Sequence, residues 1–322
     1  MRKLLGILSA GLLFGGLACN SSAQNFPNKP MRLVVPFPAG GGTDSLARAL
    51  ADGLTRELGQ PVIVDNKAGA GTVVGNDFVS KSTPDGHTLL LNTSAVAIVP
   101  SIYPKLPYAF DSGLTAVTVL GRAPNVAVVR NESPISSAKA FLEEAKASPG
   151  KLTYGSAGNG TSTHLSAELL KVSAKVFVTH VPYRGATPMI TDLMGGQIDV
   201  GFGTLPSVAP FLNSGKLRAL AVTGAVRSPY FPNIPTFSEG GVKGYEADNW
   251  YGIFVAGGTS PATVRALYDA IKRISDTEAF RKRAAAEGLV VTAESPEIAD
   301  RVYKADEAKW RKVVKLQSIK VD

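Results

Sequence analysis

The chain has 322 residues, of which 44% are hydrophobic, 19% charged and 7% aromatic, a composition typical of globular proteins and not of fibrous or disordered ones. Its 34 Lys and Arg residues exceed its 26 Asp and Glu residues, which gives a formal net charge of +8. The basic residues are scattered singly and form no block interleaved with aromatic residues. We therefore expect no nucleic-acid binding. The modest surplus of positive charge suits anionic ligands or an anionic surface.

The N-terminus has the pattern of an export signal. Arg2 and Lys3 precede an apolar run over residues 4–17, and small residues lead up to Ala23. We predict a signal peptide over residues 1–23, cleaved after Ala23, and an exported mature protein. Without Arg2 and Lys3 the mature chain keeps 32 basic residues against 26 acidic ones, a net charge of +6.

Cys19 permits a second interpretation of the same segment. It could be the lipidated residue of a lipoprotein, although Gly16 stands where such sites prefer leucine. If the cut follows Ala23, the mature chain has no cysteine, so it has neither a disulfide nor a thiol nucleophile. We expect the hydrophobic core alone to stabilise it.

From Met31 onward, predicted strands and helices alternate. The predicted strands cover residues 31–36, 61–66, 87–94, 151–156, 197–203, 217–224 and 250–256. Helices are predicted over the leucine repeat from Leu46 to Leu58, near residues 74–82, from Thr161, from Thr187-Pro188 to Gly195, and after Ser260 and Ser295. Residues 226–249, rich in Pro and Gly, are interpreted as a surface loop that also crosses between lobes. Alternation of this kind predicts parallel sheets, and the length of the chain predicts two lobes.

Several kinds of chemistry lack their usual sequence pattern. The histidines His87, His164 and His180 show no metal-ligand spacing, and the G-x-S-x-G pattern of a serine nucleophile does not occur. The first glycine-rich loop lacks the Gly-Lys-Ser/Thr of an ATP-binding loop. Residues 69–75 resemble a dinucleotide-binding turn, but the next strand carries no acidic residue. We expect no enzyme activity, no cofactor and no metal.

Three glycine-rich loops each join a predicted strand to a predicted helix. Bare backbone amides can approach an anion closely there, and the helix dipole favours negative charge. Any one such loop is as readily explained as a tight turn. Because ligands of open α/β sheets lie beyond the carboxyl ends of the strands, the three loops together predict one crevice that binds a carboxylate.

The candidate ligand-binding residues come from these loops and from the segment after the strand end at 180–182. They are Phe37, Pro38, Ala39, Gly40, Gly41, Thr43, Asp44, Thr93, Ser156, Ala157, Gly158, Asn159, Thr161, His164, Tyr183, Arg184 and Gly185. Arg184 could clamp a carboxylate or lie on the surface, and His164 could donate to an anion or pack and cap its helix. Asp44 would repel an anion, so we favour capping or water-holding for it. Gly40→Val is expected to block the anion.

Strings along nearly the whole mature chain resemble the Bug family, the substrate-binding receptors of tripartite tricarboxylate transporters. They include KPMRLVVPFPAGGGTDSLAR, LGQPVIVDNKAGAGTVVG, PDGHTLL, YGSAGNGTSTHLSAELL, HVPYRGATPMITDLMGGQIDVGF, GKLRALAVTG, RSPYFPNIPTFSEGGVKGYE and EAKWRKVVK. The sequence departs from the family in KAGAGT, which lacks a usual proline, in His87, where tyrosine is common, and in AGGTSP. None of these departures falls in the carboxylate loops.

The resemblance implies a type II periplasmic binding protein of the α/β class, with two lobes, parallel-rich sheets and two crossing segments. The first lobe would comprise residues 24–124 and 250–322, and the second residues 125–249. The family grips a ligand carboxylate through its first and third loops, here Phe37 to Asp44 and Ser156 to His164, with ordered waters. The implied protein is a monomer that delivers a small carboxylated solute to membrane permease subunits.

Two alternatives remain open at this point. The same fold could serve a receptor that presents its closed form to a sensor kinase. Alternatively, the turn at residues 69–75 could belong to an NADP-dependent oxidoreductase. The sequence does not name the carboxylate, because main-chain amides and waters leave little trace in residue identity.

Overall fold

The computed structural model describes residues 26–317 and 319, so the predicted signal peptide, Cys19 and Ala23 lie outside the described residues. The strands of the described part are β1 (Met31–Val35), β2 (Val62–Asn66), β3 (Thr88–Thr93), β4 (Leu114–Arg122), β5 (Asn125–Arg130), β6 (Thr153–Ser156), β7 (Thr179–Pro182), β8 (Val200–Thr204), β9 (Leu217–Val222), β10 (Trp250–Ala256) and β11 (Val290–Val291).

The α-helices of the same part are α1 (Gly42–Leu58), α2 (Val73–Ser80), α3 (Ala95–Ile102), α4 (Phe110–Gly113), α5 (Ala138–Ala147), α6 (Ser162–Ala174), α7 (Ala186–Met194), α8 (Leu205–Asn213), α9 (Pro261–Ser275), α10 (Glu278–Ala286) and α11 (Pro296–Gln317). A short 3-10 helix, Ala70–Thr72, precedes α2. No helix among the described residues is long and apolar enough to cross a membrane.

The strands form two mixed sheets. The first has the order β11-β4-β10-β3-β1-β2, and the second β7-β6-β8-β5-β9. The strand–helix–strand units give the parallel pairs β1–β2, β1–β3, β6–β7 and β6–β8. The strands β10 and β5 run antiparallel to their neighbours, so the sheets are less parallel than the alternating pattern predicts.

The chain passes between the two sheets twice. The first crossing joins β4 to β5 through residues 123–124, and the second joins β9 to β10 through residues 223–249. Asn249, which is buried, connects the crossings: its amide donates to the Ala123 carbonyl at 3.3 Å, and its oxygen accepts from Ser94 Oγ at 2.9 Å. We call the parts built on the first and second sheets the first and second lobes.

Two local predictions differ from the structure. The helix expected to start at Thr187-Pro188 begins one residue earlier, at Ala186. It directly follows Gly185, which has a positive φ of 118°. The segment before β9, interpreted as a short connector, contains the helix α8 with Pro206 in its first turn and Pro210 inside it. These prolines disguised the helix, because proline in the interior of a helix removes a hydrogen bond.

The core of the first lobe depends on α1. Leu46, Leu50 and Leu54 are fully buried, as their four-residue spacing predicts for one face of a helix, and they belong to the same hydrophobic cluster as Leu33 of β1. The C-terminal helix α11 reaches further, because its Trp310 packs in the cluster of the second lobe. The helix therefore contributes to the packing of both lobes.

Leu50→Ala should lower the free energy of unfolding by about 2–5 kcal/mol, because the side chain of Leu50 is fully buried and its truncation leaves a cavity in the core. The measurement is equilibrium unfolding in urea. Ile63→Ala is the control, since Ile63 lies on the edge strand β2 with 61% of its surface exposed. We expect that variant to cost about 1 kcal/mol or less. Equal losses in both variants would contradict this assignment of the core.

Candidate functional site

A narrow cavity, with about 20 Å³ of space open to a water molecule, lies where the two lobes face each other. Its lining is small and hydroxyl-rich. The lining residues are Phe37, Pro38, Gly41, Gly42, Thr43, Thr93, Ala157, Thr161, Ser162, Thr163, Ala186, Thr187, Thr204 and Ser207. None of these residues is charged, so any ligand held here meets backbone groups, hydroxyl groups and apolar surface. We call this space the inner cavity.

Four helices begin at the inner cavity. Gly41 precedes α1, Thr161 precedes α6, Gly185 precedes α7 and Thr204 precedes α8. The N-terminus of a helix carries partial positive charge and amides that lack partners within the helix. The first helix belongs to the first lobe and the other three to the second, so positive helix ends approach the cavity from both sides.

Three amides of the glycine-rich loops, those of Gly40, Ala157 and Gly158, are already used by the protein. The Gly40 amide donates to Asp44 Oδ2 at 3.0 Å, and the Gly158 amide donates to Ser156 Oγ at 3.1 Å. The Ala157 amide donates to Thr163 Oγ1 at 3.0 Å. The sequence prediction that these loops offer bare amides is therefore corrected for Gly40, Ala157 and Gly158.

The first turns of α1 and α6 supply amides instead. The first amide that bonds back along α1 is that of Ser45, and in α6 it is that of Leu165. The amides of Thr43, Ser162 and Thr163 precede those positions, so helix geometry leaves them without an acceptor in their own helix. All three residues line the inner cavity. They are the backbone donors best placed for an anion.

Asp44 stabilises the first loop and does not line the cavity. Besides the Gly40 amide, its carboxylate accepts from Arg48 Nε at 2.9 Å and from Asn66 Nδ2 at 2.9 Å. Burial alone would raise the pKa of Asp44, but these hydrogen bonds and the Arg48 charge hold the pKa below its usual value. Asp44 is thus ionised and fully engaged within its own lobe, where it holds the loop before α1 through Gly40 and does not cap a free amide of the helix.

His164 is packed inside the second lobe. Its ring stacks on that of His180, with centroids 4.4 Å apart, and its Nδ1 accepts from the Gly160 amide at 3.3 Å. Burial, together with the charge of Lys171, lowers the pKa of His164 to about 4. A neutral ring whose acceptor nitrogen holds the third loop does not contact the cavity. The interpretation of His164 as a donor to the ligand is replaced by a structural one.

A second, wider chamber of about 370 Å³ adjoins the inner cavity and shares Phe37, Pro38, Ala157 and Thr161 with it. Its other lining residues are Pro36, Ala68, Gly69, Ala70, Gly71, Thr72, Tyr103, Gly158, Asn159, Pro182, Tyr183, Arg184 and Gly185. Arg184 is the cation of this lining, and its side chain is exposed. Tyr183 donates to Asp192 at 2.8 Å, and burial and this contact raise its pKa to about 12. We call this space the outer chamber.

The lobes approach each other closely at glycines. A Cβ on Gly42 would lie 2.5 Å from the backbone of Pro206 and Ser207, and a Cβ on Gly71 would lie 2.1 Å from the Asn159 carbonyl oxygen. Both distances are far below an ordinary contact of about 3.5 Å. The amide of Gly42 donates to Ser207 Oγ across the same contact, at 3.3 Å. The lobes are therefore in a closed arrangement that glycine permits.

The structure brings most of the predicted residues to the cleft. Those that line the inner cavity, the outer chamber or both are Phe37, Pro38, Gly41, Thr43, Thr93, Ala157, Gly158, Asn159, Thr161, Tyr183, Arg184 and Gly185. Those that line neither are Ala39, Gly40, Asp44, Ser156 and His164. A Cβ on Gly40 would meet nothing within 4 Å, and its φ is +82°. Gly40→Val would strain the backbone without filling the cavity, so the expectation that this substitution blocks the anion is wrong.

Sequence reasoning missed Thr187, Thr204, Ser207 and Tyr103. Thr204 and Ser207 were missed because α8 was not predicted, so the threonine that ends β8 was not recognised as a helix cap. Thr187 was recognised as a cap but not as a lining residue. The Thr-Leu-Pro-Ser sequence after a buried strand was the available signal, since threonine followed by an early proline is typical of a helix start.

The fold and the cleft define a two-lobed α/β solute-binding protein. The chain belongs to the tripartite tricarboxylate transporter family receptors, because the model of that family matches residues 46–319. The resemblance to Bug proteins is confirmed by protein BugT of Bordetella pertussis, which is 35% identical over 318 residues covering 98% of this chain and 97% of BugT.

Two solved structures carry the same fold and contain a ligand. MatC from Rhodopseudomonas palustris, with bound malate, is 31% identical with a TM-score of 0.83, covering 90% of this chain and 100% of MatC. A second R. palustris protein, solved with adipate, is 33% identical with a TM-score of 0.88, covering 92% of this chain and 99% of that protein. The predicted two-lobed α/β architecture is therefore confirmed.

Gly42→Ala should hold the lobes apart. The added methyl group meets backbone atoms of the other lobe, which cannot rotate away, so the contact must widen by about 1 Å. A crystal structure of the variant measures the separation of α1 from α8. Gly195→Ala is the control, because the Cβ there would lie at ordinary distance, 3.4 Å or more, from its neighbours. An unchanged separation in Gly42→Ala would refute the close contact.

His164 should make stability depend on pH. The unfolded histidine titrates near 6.5 and the folded one near 4, so between these values only the unfolded chain takes up the proton. The free energy of unfolding should therefore fall as pH falls from about 6.5 to about 4. His164→Asn keeps an acceptor for Gly160 but does not titrate, so urea unfolding at several pH values should give a shallower slope. An identical slope would count against the burial of a neutral His164.

Proposed function

We propose that this protein is a periplasmic receptor that captures a small carboxylate-containing solute between its lobes and delivers it to the membrane permease of a tripartite tricarboxylate transporter. Membership of the receptor family supports this proposal. The malate and adipate in two relatives support a carboxylate as the recognised group. In this proposal the chain acts as a monomer, by binding alone and without catalysis.

The observation that carries the proposal is the convergence of helix N-termini on an uncharged cavity. Backbone amides of α1 and α6 remain unbonded within their helices at Thr43, Ser162 and Thr163. A carboxylate accepts hydrogen bonds from several amides at once and is favoured by the positive helix ends. The inner cavity is therefore proposed as the seat of one carboxylate group.

The outer chamber is proposed to hold the rest of the solute. It shares Phe37 and Ala157 with the inner cavity, and it is much larger, about 370 Å³ against 20 Å³. Arg184 at its rim could contact a second carboxylate through the exposed guanidinium. Tyr103, which lines the same chamber, offers a hydroxyl and an aromatic surface. These groups would select among carboxylates.

The proposed location follows from the N-terminal sequence. The positive residues Arg2 and Lys3, the apolar run and the small residues before Ala23 support export with cleavage after Ala23. Lipidation at Cys19 remains the alternative mode of export. Either route would place the described lobes outside the cytoplasmic membrane, where a permease could receive the solute.

The oxidoreductase alternative loses its support in the structure. The turn contains the 3-10 helix Ala70–Thr72, and the space above Gly71 is occupied by the Asn159 carbonyl oxygen of the other lobe. A dinucleotide turn needs that space for a pyrophosphate. Among the described residues, no group of three or more His, Cys, Asp or Glu side chains is arranged to hold a metal.

The test is titration calorimetry of the mature protein with a panel of malate, adipate, citrate, glutamate and benzoate, combined with small-angle scattering. We expect at least one member to bind and to reduce the radius of gyration of the protein. The panel contains dicarboxylates, a tricarboxylate, an acidic amino acid and an aromatic acid. Absence of binding by every member would overturn the proposal.

Gly41→Ala should weaken that binding about tenfold or more. Gly41 lines the inner cavity, and a Cβ there would lie 3.9 Å from Pro38 and from Thr187, so the methyl group fits the protein but occupies the proposed seat. Gly195→Ala, outside both chambers, should bind like the wild-type chain. Equal affinity in the Gly41 and Gly195 variants would move the carboxylate out of the inner cavity.

A further inference from the structure

Tyr251 stands directly behind the inner cavity with an unsatisfied hydroxyl. It lies on β10 and pairs with Thr93, a residue of the cavity lining. The side chain is fully buried, and its hydroxyl has no hydrogen-bond partner. A buried hydroxyl without a partner lowers stability by about 1–3 kcal/mol, so its presence calls for an explanation.

The surroundings of this hydroxyl come from both lobes. The side chains of Thr204, Asn249 and Thr43 are close enough to interact with it, but none meets the geometry of a hydrogen bond. Thr43 belongs to the first lobe and Thr204 to the second, and both line the inner cavity. Burial raises the pKa of Tyr251 above its usual value, so its hydroxyl keeps its proton and can donate.

A short chain of hydroxyl groups continues from this point. Thr204 Oγ1 and Ser207 Oγ lie 2.8 Å apart, and Ser207 Oγ accepts from the Gly42 amide of the other lobe at 3.3 Å. A hydroxyl oxygen accepts two hydrogen bonds and donates one. If Thr204 Oγ1 accepts from both Ser207 and a second donor, its only proton must point elsewhere. The open side of Thr204 is the inner cavity.

We infer that Tyr251 is a positioning residue for the bound carboxylate: its hydroxyl donates to Thr204 Oγ1 and thereby directs the Thr204 proton into the inner cavity. This inference rests on the proposed function, since the acceptor of that proton is the solute carboxylate. If the Thr204 proton turns to Ser207 instead, the inner cavity receives no donor from Thr204. A carboxylate in the seat completes the chain of donors.

The first test is Tyr251→Phe. We expect the affinity for the tightest-binding acid of the panel malate, adipate, citrate, glutamate and benzoate to fall about three- to tenfold, the loss of one hydrogen bond. The melting temperature of the unliganded protein should stay the same or rise, because the variant removes an unsatisfied buried hydroxyl. A merely structural tyrosine would give the opposite pattern, a lower melting temperature and an unchanged affinity.

Tyr303→Phe is the matched control. Tyr303 is also buried with an unpartnered hydroxyl, but it lies on α11 against Phe110 and Phe254, away from both chambers. Its removal should leave the affinity unchanged. If both tyrosine variants weaken binding equally, the effect comes from general loosening of the first lobe and the inference is overturned.

A double-mutant cycle with Thr204→Val tests the direction of the hydrogen bond. If Tyr251 acts through Thr204, the double variant should bind no more weakly than Thr204→Val alone, because the group that Tyr251 positions is gone. Independent, multiplicative losses would overturn the inference. If the wild-type chain binds no acid of the panel, the proposed function fails together with this inference, whereas wild-type affinity in Tyr251→Phe defeats this inference alone.

Discussion

The closed structure depends on one electrostatic constraint, the approach of positive helix ends from two lobes to a single uncharged cavity. Each helix N-terminus carries roughly half a unit of positive charge. The end of α1 in the first lobe faces the ends of α6 and α8 in the second, so the lobes repel each other weakly when the cavity is empty. In the proposed function, a carboxylate between them would change this repulsion into attraction on both sides. The ligand would then favour the closed state for the same reason that it binds.

This constraint explains why glycine stands at two of the closest contacts between the lobes, Gly42 and Gly71. The amides can share one carboxylate only if the backbones come close, and Gly42 against Pro206 and Gly71 against the Asn159 carbonyl permit distances that a Cβ would prevent. Glycine in a loop is usually explained by its conformational freedom. At Gly42, inside the first turn of α1, the requirement is space across the lobe contact, because the residue is already helical.

The sequence predicted the lobes and the crevice better than the donors inside it. Strand–helix alternation and the four-residue spacing of Leu46, Leu50 and Leu54 depend on local chain geometry, and both are found in the structure. Which acceptor each amide finds depends on the packed structure. The hydrogen bonds from the Gly40 amide to Asp44 and from the Gly158 amide to Ser156 could therefore not be predicted from residue spacing. The contribution of α8 was hidden by its two prolines. Tyr251 looked like one more residue of a buried aromatic strand, since only the packed structure reveals its hydroxyl without a partner.

The absence of a cation from the lining of the inner cavity has a functional consequence. An arginine there would bind a carboxylate strongly in an open lobe, and the affinity would depend little on closure. At the proposed seat, the amides and hydroxyl groups drawn from both lobes would be complete only when the lobes meet, so most of the binding energy would be available in the closed state alone. A ligand shifts a conformational equilibrium only by its difference in affinity for the two states. With Arg48 paired with Asp44 and Arg184 in the lining of the outer chamber, the proposed seat would make that difference large.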